Sequence, residues 1–351
     1  MFDGPSIMKL GIAVVYLVSE ENEKLLDLHL SQIERHTTVP YTVYGSINRL
    51  LPKFRHKLKS NPRAKVCEYP VTDLRDVEEH SFYLEHLVRT AIEDGSSHIV
   101  TLHVDSFPIR SGWAEELAGK LSESQIFATP SYGAYTACLF FHRDFYLKYR
   151  PTFLLSEADR SSERYEEFCR EFEHIPDSGI GYCFKAFSEG VSWYPLEESS
   201  KGDPRFGFFS TIYGNLVFHL SSAAYSENDQ SFKNAVILKK SGFLPVRKLG
   251  EATRFLIPGP VREWGWNQLG IPICGMVLKA AFQYSRNRQG VAGGTGVKIS
   301  KKTIGWVWNH FGIPMFSKPA FESVKGQLLE DPESYLNFLK TRERSKSNSK
   351  Q

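Results

Sequence analysis

Cysteine is sparse in this chain. The five present (Cys67, Cys138, Cys169, Cys183 and Cys274) are widely spaced and form no CxxC pair. That pattern argues against a zinc cage and a secreted disulfide framework, and it suits a reducing cytoplasm. Long apolar runs are missing as well. The longest uncharged run near the start, Ile12 to Val18, has seven residues, whereas a membrane-spanning helix needs about 20. A signal-peptide core of about 7–15 residues is normally followed by a small-residue cleavage site, and none follows here, so a cytoplasmic protein is expected. Net charge is also small, with 43 Lys and Arg against 40 Asp and Glu, and the whole-chain value says little about partners. What remains, 41% hydrophobic and 24% charged residues in 351, is the composition of a globular protein with one large domain or two smaller ones.

The charge is unevenly placed. Residues 1–232 hold 23 basic and 33 acidic residues, while 233–302 hold 13 basic residues and only Glu251 and Glu263. A sign change this abrupt marks a boundary near 230, giving one region over 1–230 and a basic, partly helical extension over 231–351. The basic stretch is interleaved with Phe255, Trp264, Trp266, Phe282 and Tyr284, and Trp306, Trp308 and Phe311 follow. Such a surface can meet anionic lipid headgroups peripherally, hold substrate phosphates, or pack on the acidic first part of the same chain. No nucleic-acid motif accompanies it, so nucleic acid is not an expected partner. The glycine-rich run Gly290–Lys298 fails the spacing of a phosphate loop. The polar tail from about Lys340 reads as frayed.

Along the first region, Lys9–Val18 is a continuous apolar, β-branched run, the pattern of a buried parallel strand. Ser19 reads as an N-cap, and Leu26, Leu30 and Ile33 recur at helical spacing. Strands are expected at Tyr41–Ile47 and Ala64–Tyr69, a helix over His80–Asp94 ending at Gly95, and another buried strand at His98–Val104. Strand and helix alternating in this way predict an open, mostly parallel α/β sheet, with ligands beyond the carboxyl ends of the strands. A helix from Trp113 to about Leu121, strands at Gln125–Thr129 and Thr136–Phe141, a helix at Tyr182–Phe187 and a short strand Gly214–His219 follow. No glycine-rich turn follows the first strand, which weighs against a dinucleotide or methyl-donor site.

Asp105 stands at the carboxyl end of the His98–Val104 strand. Hard divalent cations choose carboxylate oxygen, and an ion held there could bridge two phosphates as a nucleoside diphosphate departs. Equally, Asp105 could cap the turn at Ser106-Phe107-Pro108. Asp177, in Pro176-Asp-Ser-Gly-Ile-Gly181, can act as a base or, with Ser178, cap a helix. His219 ends the Leu216-Val-Phe-His run, as a ligand or as a core histidine.

The stretch His98-Ile-Val-Thr-Leu-His-Val-Asp-Ser-Phe-Pro-Ile-Arg-Ser-Gly-Trp113 resembles the GT-A-type, nucleotide-sugar-dependent glycosyltransferases, of the family-2-like kind. In these a strand runs into a D-x-D signature, then an apolar-Pro segment and a Gly-Trp opening a helix. The resemblance covers about residues 9–225 and implies a GT-A (Rossmann-like) α/β fold. It implies a glycosyltransferase that moves a sugar from a nucleoside-diphosphate sugar to a hydroxyl acceptor, such as a glycan or lipid-linked precursor, with Mn2+ or Mg2+. His103 replaces the first acid, so the motif reads H-V-D. The resemblance places Asp105 and His219 on the metal and makes His103 an imidazole ligand or ribose contact. Asp177 takes the place of the base of an inverting transfer. Tyr16, Val18, Asn48, Arg49, His80 and Leu84 occupy the nucleotide positions. A nucleotidyltransferase-like enzyme and a non-catalytic binding protein are the alternatives.

Overall fold

The computed structural model describes residues 8–18, 20–74, 76–130, 135–172, 178–197, 210–220 and 325–337. The first apolar run forms β1 (Leu10–Val15), flanked in parallel by β2 (Tyr41–Ser46) and β4 (His98–Leu102), with β3 (Ala64–Cys67) parallel outside β2. The seven-stranded sheet continues through β7 (Leu139–His142), β6 (Gln125–Pro130) and β8 (Ser192–Leu196), in the order β3-β2-β1-β4-β7-β6-β8. Only β7 runs antiparallel, against both β4 and β6, while β6 and β8 are parallel. This is the mostly parallel α/β sheet that the alternating pattern predicts.

β1 reads as a continuous apolar run because both faces are covered. Leu10, Ile12 and Val14 point into one buried cluster, with Leu26 and Ile33 of α1 (Glu23–His36) and Phe54 and Leu58 of α2 (Pro52–Lys59). Ala13 enters the other, with Leu84, Leu87, Val88 and Ala91 of α3 (Asp76–Glu93). Gly45 in β2 is dictated by close approach, since a Cβ there would lie 2.8 Å from the Tyr16 ring. The second half carries α4 (Trp113–Ala118), α5 (Arg143–Tyr149), α6 (Glu157–Arg160), α7 (Glu163–Phe172) and α8 (Ile180–Ser188).

A second sheet of three strands joins β5 (Ser106–Pro108), β10 (Val217–Leu220) and β9 (Ser210–Tyr213), all antiparallel. Here the structure corrects two readings. Ser106–Pro108 is a strand rather than a turn. Gly214–Leu216 is the hairpin turn rather than strand, closed by the Leu216 N–H donating to the Tyr213 carbonyl at 2.9 Å. Gly214 (φ 56°) and Asn215 (φ 61°) both lie in the left-handed region, which glycine and asparagine enter most readily. The strands β8 and β9 and the helix α2 had no counterpart in the sequence reading, and α3 starts four residues before His80.

Ser19 lies outside the described residues, as do Asp177, the basic stretch 233–302 and the tail from 340. Residues 325–330 and 332–337 are helical. Within the latter, Tyr335 packs edge-on to Phe218 of β10 (88° between ring planes) and Glu333 pairs with Arg35 of α1. No helix among the described residues is long and apolar enough to cross a membrane.

Candidate metal centre

β4 ends at Leu102, and the chain turns over His103–Ser106, closed by the Ser106 N–H donating to the His103 carbonyl at 3.0 Å. The Ser106 hydroxyl stiffens the turn: it accepts from the His103 N–H (2.8 Å) and donates to the Ala137 carbonyl (2.8 Å). Asp105 is 3% exposed, and its carbonyl accepts from the Leu220 N–H at 2.8 Å. That last bond belongs to β10, whose antiparallel register on β5 sets His219 opposite Ser106. The turn and the second sheet therefore bring together residues far apart in sequence.

Three side chains converge. His219 Nε2 lies 3.6 Å and His103 Nδ1 3.9 Å from the same Asp105 oxygen, Oδ1. One ligand atom from each of the three fits within 4.8 Å of the others. In each histidine the remaining ring nitrogen meets a hydroxyl: His103 Nε2 lies 2.9 Å from Thr136 Oγ1, and His219 Nδ1 lies 2.8 Å from the Tyr213 hydroxyl. Thr136 Oγ1 is in turn 3.0 Å from Ser178 Oγ. Tyr213 reaches His219 as its diagonal neighbour on the hairpin, because His219 pairs with Thr211 and Tyr213 with Val217. Metal-binding histidines characteristically have the second nitrogen held in this way, which fixes ring and tautomer.

The electrostatics suit neutral imidazoles. Burial pushes His219 and His80 down to about 4. Burial, with His80, His219 and His29 nearby, holds His103 well below the usual histidine range. Near neutral pH each ring therefore keeps a lone pair. One carboxylate and two neutral imidazoles can hold a divalent cation and leave coordination positions open for oxygen ligands.

The other residues singled out from the sequence fall into distinct places. His80, on α3, sets its ring edge-on to His103 at 5.3 Å between centroids and so backs the cluster. Asn48 is tied to the end of β3: its Nδ2 donates to the Tyr69 carbonyl (2.6 Å), and its Oδ1 accepts from the Tyr69 N–H (3.2 Å) and the Ser46 hydroxyl (3.1 Å). Arg49 pairs with Glu79 of α3 at 2.8 Å and stays exposed. Tyr16, Val18 and Leu84 are core side chains, 0%, 3% and 0% exposed, so packing rather than ligand contact accounts for them.

Thr136 and Tyr213 escaped the sequence reading, as did His29. Among the buried residues of α1, His29 directs Nδ1 at the Ser106 carbonyl, 2.9 Å away, and meets the Tyr16 ring edge-on. It thereby anchors α1 to the strand that follows Asp105. Its signal was present, since a histidine three residues after Leu26 and four before Ile33 lies on the apolar stripe of the helix.

No protein-family model and no curated protein matches the chain. Among solved structures it is similar to a mannosyltransferase from Pyrobaculum calidifontis in complex with GDP-Man and Mn2+, at 10% identity and a TM-score of 0.38, over 95% of this chain and 86% of that one. It is also similar to the apo form of mouse xyloside xylosyltransferase 1, at 10% identity and a TM-score of 0.34, over 55% and 86% of the two chains. Likenesses at this level do not bear on function.

Proposed function

We propose that this chain is a GT-A-like glycosyltransferase that moves a sugar from a nucleoside-diphosphate sugar to a hydroxyl acceptor, with inversion and with the aid of a divalent cation. The observation that carries the reading is the convergence of His103, Asp105 and His219 at the carboxyl end of β4, where parallel α/β sheets take their ligands. A bound divalent cation supplies positive charge that stabilises the departing diphosphate. Asp105 and the two imidazoles would hold it, while Thr136 and Tyr213 keep each ring turned toward Asp105. Arg49 and His80, beyond the ends of β2 and on α3, belong to the nucleotide side of the site.

In this reading Asp177 takes the proton of the acceptor hydroxyl as the anomeric carbon is attacked. Its support is its chain neighbour Ser178, buried with its hydroxyl on Thr136, which in turn meets His103, so that two hydrogen bonds link Ser178 to the cluster. The basic segment 233–302 would serve an acceptor bearing phosphate or seated on a membrane, such as a lipid-linked glycan precursor, and its charge is what supports this part of the reading.

The test is hydrolysis profiling of the full chain across a panel of sugar nucleotides, with Asp105→Ala beside it. Release of nucleoside diphosphate from one donor, lost in the variant, supports the proposal. Formation of nucleoside triphosphate and sugar 1-phosphate on adding pyrophosphate to a donor instead points to a nucleotidyltransferase. Cation-dependent thermal stabilisation by nucleoside diphosphates without turnover of any donor points to a binding protein.

A further inference from the structure

We propose that His103 makes this centre selective for imidazole-seeking first-row ions, Zn2+ and Co2+, over Mg2+. The inference deepens the reading of the cluster as the cation site of a transferase and rests on it for the ion's role, though ion binding can be measured by itself.

The donor set is the first ground. Two of its three members are imidazole nitrogens and one is a carboxylate oxygen. Mg2+ dehydrates reluctantly and is ordinarily held by carboxylates and water. Imidazole favours zinc and its neighbours in the first transition row, and affinity at such sites rises from Mn2+ through Co2+. With an acid at position 103 the same turn would offer two carboxylates and one imidazole, an oxygen-rich set. His103 is thus the specificity-determining residue.

Geometry is the second ground. Bonds of about 2.0–2.2 Å to nitrogen and oxygen set ligand atoms about 3.0–3.5 Å apart around one ion. The separations of 3.6 and 3.9 Å to Asp105 Oδ1 close to that range by shifts of a few tenths of an ångström. The third ground is the pair of hydroxyls. If His103 Nε2–H donates to Thr136 Oγ1 and His219 Nδ1–H donates to the Tyr213 oxygen, the nitrogens facing Asp105 carry lone pairs rather than protons. Both hydroxyls stand at hydrogen-bond distance for that arrangement. An oxygen-only cation site has no use for either contact.

The experiment strips the full-length chain with a chelator and titrates it with Zn2+, Co2+, Mn2+ or Mg2+ by calorimetry without nucleotide. Co2+ is followed in parallel by its visible absorption. Zn2+ and Co2+ should bind at least 100-fold more tightly than Mg2+. His219→Ala should abolish the Co2+ bands. His103→Asp should narrow the Zn2+-to-Mg2+ ratio at least tenfold. Tyr213→Phe, which keeps all three ligands, should weaken Zn2+ about tenfold or more and serves if His103→Asp does not fold. Mg2+ within tenfold of Zn2+ in the unaltered chain overturns the proposal. So does a Zn2+ isotherm unchanged by His219→Ala, or a ratio unmoved by His103→Asp. Tight Zn2+ binding with no response to any nucleoside diphosphate would leave this inference standing and remove the transferase reading. Donor turnover supported by Mg2+ alone, with weak Zn2+ binding, would do the reverse.

Discussion

His29 ties acid sensitivity to the turn that carries Asp105. Its ring is buried, Nδ1 donates to the Ser106 carbonyl, and burial outweighs that bond, pushing it down from 6.5 to about 4. The unfolded chain takes up a proton on His29 as pH falls through 6.5, whereas the folded chain does so only near 4. The unfolded state therefore binds more protons in that window, and stability contributed by the neutral ring is present at pH 7 and lost as pH falls toward 4. Those two values make the loss between pH 7 and pH 5 about 2 kcal/mol for this one group. In His29→Leu that loss vanishes, but the Ser106 carbonyl, buried in β5, loses its partner at a cost of about 1–3 kcal/mol. Urea unfolding at both pH values measures the outcome. The variant should be less stable at pH 7, and its deficit should shrink by about 2 kcal/mol at pH 5. A deficit that stays constant within about 0.5 kcal/mol across that range would refute the placement of a buried neutral imidazole at position 29.

Further expectations concern packing and the site. Gly45→Ala sets a methyl group against the Tyr16 ring at 2.8 Å and should lower stability by about 1–3 kcal/mol in a denaturant melt. Gly214→Val forces a β-branched residue into the left-handed turn of the β9–β10 hairpin (φ 56°). It should cost about 1–2 kcal/mol and weaken cation binding measured by calorimetry, since Tyr213 and His219 both hang from that hairpin. Asp177→Asn should leave nucleotide-sugar binding intact and stop transfer, so retained transfer would remove Asp177 as the base. Asp105→Ala should abolish both transfer and cation-dependent stabilisation by nucleoside diphosphates, with unchanged turnover discarding the site.

Elements that dominate the core could be read from the sequence because their covering is two-sided. β1, β2 and β4 are apolar runs, and α1 and α3 show their buried stripes at helical spacing. α2 escaped because only Phe54 and Leu58 are buried in an otherwise basic, exposed octet. β5 and β9 escaped because three or four residues give no periodicity, and Ser106-Phe-Pro reads locally as a turn. Of the cluster, Asp105 and His219 were visible from their places at strand ends. Their meeting followed only from the family resemblance and not from any spacing, because it depends on the pairing of β5 with β10 across more than a hundred residues. Thr136 and Tyr213 act only through the histidines that they touch, and no spacing rule connects a hydroxyl to a partner in another strand.

The pairing of β5 with β10 also fixes when the cluster can exist. Strands β1 to β4 can associate early in synthesis, but His219 and Tyr213 are contributed by a hairpin more than a hundred residues later. A nascent chain that has emerged only as far as α8 carries Asp105 without its second imidazole. The three-residue cluster is therefore complete only once the β9–β10 hairpin has been made and paired with β5.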